Sequence, residues 1–207
     1  MKPISAFMLL GALGLVLTTT FSQEDDKNSA RVNVAQIAGN ELFVLKKCAD
    51  CHTLAAEAEG KRTPVTNMRD QAWFAQHVQE ESPIVLRKEK SKRKQRRVLK
   101  AEIRALEEFL YHSTPETRKQ IASLPENVAR GAYLVYQNNC TNCHAINGFG
   151  KDIAPDLSQV GKKRKRDWLI ANLKDPKQFA PETLMPPFDH LPEEDLERIA
   201  DYLSTLK

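Results

Sequence analysis

The pentapeptide Cys-X-X-Cys-His occurs twice, as Cys48-Ala49-Asp50-Cys51-His52 and Cys140-Thr141-Asn142-Cys143-His144, and the two copies use all four cysteines of the chain. Two thiols at this spacing can add to the two vinyl groups of one porphyrin. The histidine that follows lies close enough to become an axial iron ligand, so the pattern reads as a c-type haem attachment site. It implies two covalently bound haem c groups, tethered by Cys48, Cys51, Cys140 and Cys143, with His52 and His144 on the irons. Two other readings compete. Paired cysteines with adjacent histidines also imitate a split zinc site. Such sites, however, draw on Cys pairs about 12 to 20 residues apart, whereas these motifs are 92 positions apart. A disulfide framework is the third reading. With every cysteine inside a motif, no thiol is left over as a nucleophile. No glycine-rich phosphate loop and no Ser/His/Asp order stands out.

The elements that must position these motifs are duplicated. Gly39 and Gly131 each lie nine residues before the first Cys, and Leu42 and Leu134 keep the same offset. Trp73 pairs with Trp168, and Phe109-Leu110 with Tyr202-Leu203, at nearly the same spacing. Residues 39–47 and 130–139 read as amphipathic helices running into the motifs. Leu99, Ile103, Leu106 and Leu110 form one helical face, and Leu196, Ile199, Leu203 and Leu206 form another. Pro192 suits the opening of the last helix, with Glu193, Glu194 and Asp195 at its positive end. A shorter helix is expected around each Trp, and no alternating run is long enough for a strand. The fold class expected is all-α. The organisation expected is a leader over 1–22, a first domain over 32–112, a linker over 113–127 with a short helix at 116–122, and a second domain over 128–207.

The chain has 207 residues, of which 41% are hydrophobic and 7% aromatic. That is lean for a self-sufficient core, and a haem would add a large apolar body to each domain. Residues 1–22 carry Lys2, an apolar stretch over 4–17 and small residues up to Ser22, the pattern of a cleaved secretory signal. The stretch is shorter than the ~20 residues a spanning helix needs. The alternative is an uncleaved membrane anchor over residues 4–21. The localisation expected is periplasmic or otherwise exported.

On these residues the chain resembles class I c-type cytochromes, twice over, across residues 35–112 and 128–207. The resemblance implies an N-terminal helix crossing a C-terminal helix, with Gly39 against Phe109 and Gly131 against Tyr202. It implies Met185, in Leu184-Met185-Pro186-Pro187-Phe188, as the sixth iron ligand of the second haem. It also implies that Asn147-Gly148-Phe149-Gly150 and Ile153-Ala154-Pro155-Asp156-Leu157 cover the proximal side, and that a carbonyl there accepts the other N–H of His144. The first copy departs from the pattern, because no Met stands where Met185 would align. Met68, His77, Lys88, Lys90, Lys92, Lys94, His112 or an open position remain for its sixth site.

Residues 87–100 hold nine Lys or Arg against Glu89, and Lys162-Lys163-Arg164-Lys165-Arg166 is an unbroken basic run, within a net charge of only +4. Such surfaces suit a redox partner with an acidic docking face. Association with a membrane surface or a respiratory complex is the lesser alternative, and nucleic acid is not expected for an exported chain. Arg166 is a candidate partner for a haem propionate. The function expected is electron transport between exported or membrane-bound respiratory partners, as a carrier rather than an enzyme. The alternative is a small two-haem enzyme, peroxidase-like or oxidising sulfur compounds, with an open or labile haem in the first domain.

Overall fold

A computed structural model of the chain describes residues 31–55, 60–65, 70–81 and 91–207. The leader reading, Met68, Lys88 and Lys90 lie outside the described residues. The described chain is mostly helical, as expected: α1 (Val34–Leu45), α2 (Gln71–Glu81), α3 (Lys92–Tyr111), α4 (Pro115–Ala122), α5 (Glu126–Gln137), α6 (Val160–Lys163), α7 (Arg166–Lys174), α8 (Pro176–Phe179) and α9 (Glu193–Thr205). The strands are two-residue pairs. Parallel β1 (His52–Thr53) and β2 (Thr63–Pro64) follow the first motif, and antiparallel β3 (Ala145–Ile146) and β4 (Phe149–Gly150) follow the second. Among the described residues no helix is long and apolar enough to cross a membrane.

Helix α1 starts earlier than its amphipathic pattern suggests. Asn33 Oδ1 accepts from Gln36 N at 2.9 Å, and Gln36 Oε1 accepts from Asn33 N at 3.1 Å. This reciprocal box satisfies two of the backbone donors that a helix start leaves open. Val34, Ala35, Ile37, Ala38, Gly39, Leu42 and Phe43 are all buried. They lie on more than one face because α1 is packed against both α3 and α5, so it has no broad solvent side for a periodicity to reveal. Helix α5 likewise begins before the expected residue 130, just after Pro125, with Glu126 in its first turn. The connecting stretch contains α4, capped by the Thr114 hydroxyl, with Pro115 at the start, where its missing N–H costs nothing.

The two halves repeat one helix crossing. Helix α1 packs on α3, α5 packs on α9, and α1 lies against α5. Side chains at the crossings are fully buried, with Phe109 at 1% and Tyr202 at 2% exposure. The last helix buries Leu196, Ile199, Leu203 and Leu206, as its spacing predicts. The stripe on α3 is rotated from the expected one. Glu102, Ala105, Leu106, Phe109 and Leu110 are buried, while Leu99 and Ile103 are only half-buried. A carboxylate enters the buried stripe because Lys46 meets it there.

Glycine is required at each crossing. A Cβ on Gly39 would overlap the Ala105 carbonyl and Phe109 Cβ, and one on Gly131 would overlap the Arg198 carbonyl and Tyr202 Cβ. Those neighbours are backbone and packed Cβ atoms, which cannot swing aside. Gly131→Ala is expected to cost ~2–4 kcal/mol, as overpacking in a dense crossing does. Gly60→Ala, at φ +63 but with nothing within 4 Å, should cost only ~1 kcal/mol of left-handed backbone strain. Denaturant unfolding of both variants checks the pair, and equal losses would contradict the crossing.

Candidate functional site

Each motif begins where a helix is stopped abruptly. Helix α1 closes with Lys46 N donating to Leu42 O at 2.8 Å, and α5 with Asn138 N donating to Leu134 O at 2.9 Å. The next residue is left-handed in both: Lys47 at φ 58, ψ 29 and Asn139 at φ 60, ψ 27. Asparagine visits this region more readily than lysine, for which the conformation costs ~1–2 kcal/mol. The chain then enters a 3-10 turn, Cys48–Asp50 or Cys140–Asn142, in which the second Cys N donates to the first Cys O at 3.2 Å in both copies. Side chains at i and i+3 eclipse one another in such a turn. Cys48 with Cys51, and Cys140 with Cys143, are therefore presented on one side, as two tethers for one flat group require.

The histidines are oriented by the strand that returns beneath them. In the second copy Ala154 N donates to Cys143 O and Leu157 N to Ala145 O. Between these anchors the carbonyl of Pro155 lies 2.7 Å from His144 Nδ1, within the segment expected. A carbonyl only accepts, so Nδ1 carries the proton and Nε2 keeps its lone pair for a metal. In the first copy Thr63 N donates to Cys51 O and Val65 N to Thr53 O, so this strap is one residue shorter between its anchors. The partner of His52 Nδ1 is there a hydroxyl, Thr63 Oγ1 at 3.1 Å. That hydroxyl donates onward to Cys51 O at 3.4 Å, leaving its oxygen to accept from His52. Both rings thus use Nδ1 within the protein and leave Nε2 without a hydrogen-bond partner among the described residues. Such outer contacts fix the tautomer and tune a ligated metal.

All four cysteines are free. Burial raises the Cys48 thiol, and desolvation pushes the Cys140 thiol up to about 12, although Cys140 keeps some exposed surface as a residue. Among the described residues no three His, Cys, Asp or Glu side chains converge on one point. Among the described residues, most exposed large apolar side chains adjoin a motif or a residue tied to one. Val44 (63%) and Leu45 precede Cys48. Ile153 (70%) follows a backbone bond to Cys143, Phe179 packs on Trp168, and Leu184 (99%) adjoins Met185. This lining and donor set fit a large apolar macrocycle carrying iron.

The distal sides differ. In the second copy Met185 is half-buried, with its N donating to Thr183 Oγ1, and Phe188 N ties the loop to Leu173 O at 2.8 Å. Asn172 Nδ2 donates to Met185 Sδ at 3.7 Å and orients the thioether. In the first copy Lys92 and Lys94 are exposed in the opening turn of α3. His112 is 63% exposed beside Glu108, at the end of α3 that meets the start of α1 through Gln36. His77 sits on α2, half-buried, its ring centre 5.8 Å from that of His52.

The structure adds two charged pairings that the sequence did not mark. Arg166 Nε donates to Asp201 at 2.5 Å, and Glu197 lies 3.9 Å from its guanidinium, so that side chain is tied to α9. Burial opposes ionisation of Asp201, but hydrogen bonds from Arg166 and Asn127 outweigh it and hold that carboxyl below its usual range. The second is Lys46 with Glu102, 2.8 Å apart and fully buried, two residues before the first motif. The signal in the sequence was a Glu standing among Leu99, Ile103 and Leu106. Alongside, Tyr136 Oη donates to Ala101 O at 2.8 Å, and burial first, with Glu102 and Glu41 adding, pushes Tyr133 up to about 12.

Residues 128–207 match the family model for cytochrome c. An 86-residue stretch is 27% identical to a cytochrome c oxidase subunit 2 from Alkalihalophilus pseudofirmus, covering 38% of this chain and 25% of that protein. The chain thus spans about a quarter of the length of that curated relative. No solved structure matches the chain significantly.

Removing one member of the buried pair strands the other charge. Lys46→Met is expected to destabilise by ~3–5 kcal/mol. The double variant Lys46→Met with Glu102→Leu should recover most of that loss, because no buried charge is left unpaired. Unfolding of the two variants measures the difference. Equal instability of single and double variants would show that the pair is not what holds this region.

Proposed function

We propose that the chain is an exported c-type cytochrome with two haems that passes electrons between redox partner proteins, a reading supported by the match of residues 128–207 to the cytochrome c family model. The observation that carries this reading is the repeat of one local geometry. A helix ends in a left-handed residue, a 3-10 turn sets two thiols on one side, and the following histidine is held at Nδ1, which leaves Nε2 free of protein hydrogen bonds. When bound, haem supplies the one-electron redox chemistry. Cys48 and Cys51 tether the first group and Cys140 and Cys143 the second, while His52 and His144 offer Nε2 to the irons. Asn172 holds the Met185 sulfur in place, and the paired prolines Pro186-Pro187 restrict its loop. Thioether opposite imidazole raises a haem's reduction potential and fills both axial positions, which suits transfer of electrons rather than binding of a substrate.

The name of the matched relative, a subunit of cytochrome c oxidase, supports a place in respiratory electron flow. The exposed cations of α3, Lys92 through Arg97, and the exposed Lys162, Lys163, Arg164 and Lys165 fit a partner with an acidic docking face. Opposite charges speed such encounters and make them fall with salt. The leader at residues 1–22 directs the chain out of the cytoplasm, where c-type haem is attached.

The holoprotein, expressed with a haem-attachment system, is expected to carry two haems per chain by pyridine haemochrome and intact mass. Cys48→Ala with Cys51→Ala should leave one, and so should Cys140→Ala with Cys143→Ala. One haem in the parent chain would overturn the two-haem reading while leaving the second domain's assignment intact.

A further inference from the structure

Resting on the two-haem reading, we infer that His77 is the distal axial ligand of the first haem, so that this site pairs His52 with His77 where the second pairs His144 with Met185. Three observations carry it. First, the position is that of the residue touching the sulfur in the second copy. Trp73 and Trp168 are each the third residue of their helix, α2 and α7, and His77 and Asn172 are each the seventh. The faces also correspond, with Phe74 and Val78 buried as Leu169 and Leu173 are. Asn172 at this position reaches the Met185 sulfur at 3.7 Å. A residue there faces the distal side, and His77 is long enough to supply the donor itself.

Second, the spacing is right. The His52 and His77 ring centres are 5.8 Å apart, with planes at 77°. Two imidazoles bound end-on at about 2 Å to opposite sides of one metal have centres about 6 Å apart, and rotation about each metal–nitrogen bond leaves the angle between planes free. Third, the ring is held but unused. It stacks on Trp73 at 5.0 Å and 5°, while among the described residues neither of its nitrogens has a hydrogen-bond partner. His52 Nδ1 is occupied by Thr63, so the nitrogen left to each histidine for a metal is accounted for. The other described candidates are worse placed, with Lys92 and Lys94 exposed on the first turn of α3 and His112 beside Glu108.

Imidazole in place of thioether lowers a haem's potential, since the methionine ligand is what raises it. The first site is then the lower-potential centre of the two.

The test uses the full-length holoprotein, its His77→Ala variant and its His77→Met variant, each with haem counted by pyridine haemochrome and mass. Expected for the parent are two low-spin ferric haems by electron paramagnetic resonance. Only one of them should show the far-red band of sulfur ligation, and the ferrous form should take up no carbon monoxide. In His77→Ala the second haem stays unchanged, while the first turns high-spin and takes up one equivalent of carbon monoxide. Added imidazole restores the low-spin signal. In His77→Met the lower of the two potentials rises, a shift that loss of a merely packing side chain would not give. The assignment is overturned if His77→Ala keeps two low-spin haems and ignores carbon monoxide. It is overturned equally if the parent already binds carbon monoxide, or if sulfur ligates both irons. These parent measurements can overturn the assignment even if the variants fail to fold, and the His77 variants then separate His77 from any other nitrogen ligand. A parent with a single haem would overturn both this assignment and the two-haem reading.

Discussion

Everything in this molecule hangs on two helix crossings too close for any side chain at their centre. At Gly39 the backbone of α1 lies against the Ala105 carbonyl and Phe109, and at Gly131 that of α5 lies against the Arg198 carbonyl and Tyr202. Such contact locks the rotation of each first helix about its own axis, because turning it would drive a side chain into backbone. Once the rotation is set, the direction in which the helix delivers its last residue is set as well. Lys47 and Asn139 then break the helix in the same left-handed way, and the thiols and histidine leave on a defined side. The packing of α1 on α5 joins the two crossings and holds the two motifs in one body.

Around that shared frame the halves diverge at small, traceable differences. One residue fewer in the strap changes the partner of the proximal histidine from the Pro155 carbonyl to the Thr63 hydroxyl. A hydroxyl oxygen is a weaker acceptor than a peptide carbonyl, and the basicity of a ligating imidazole follows its outer partner. On the opposite side, His77 and Asn172 occupy matching helical positions with different capacities. An amide can orient a neighbouring sulfur, whereas an imidazole can itself bind a metal. The buried Lys46–Glu102 pair occurs beside the first motif alone. It sits where α1, α3 and the tyrosines of α5 meet, a place where apolar groups would pack with less cost of desolvation.

Much of the architecture was legible in the residues. Two complete Cys-X-X-Cys-His motifs, the offset glycines and the 3-4 spacing over 196–206 are local patterns, and local patterns survive without knowledge of neighbours. The start of α1 was not legible in the same way, because a helix enclosed by two others loses its polar face and with it the periodicity that marks its bounds. Glu102 stood among the apolar residues of its helix, but its burial could not be read there, since it depends on Lys46, 56 positions earlier in the chain. The pairing of Arg166 with Glu197 and Asp201 was not legible either, because those carboxylates are more than thirty positions later in the chain but beside it in space.

The sequence alone determined the chemistry on offer, namely four thiols, two motif histidines, one methionine framed by prolines and two dense basic surfaces. Those follow from residue type and short spacing, which covalent geometry already constrains. Only the tertiary structure decided which nitrogen of each motif histidine is left free, which residue backs the methionine sulfur, and which of several distant candidates stands beside His52. These are matters of packing between segments tens of residues apart. In such packing, an angstrom in a helix crossing or one residue in a strap selects the partner, and no local pattern records it.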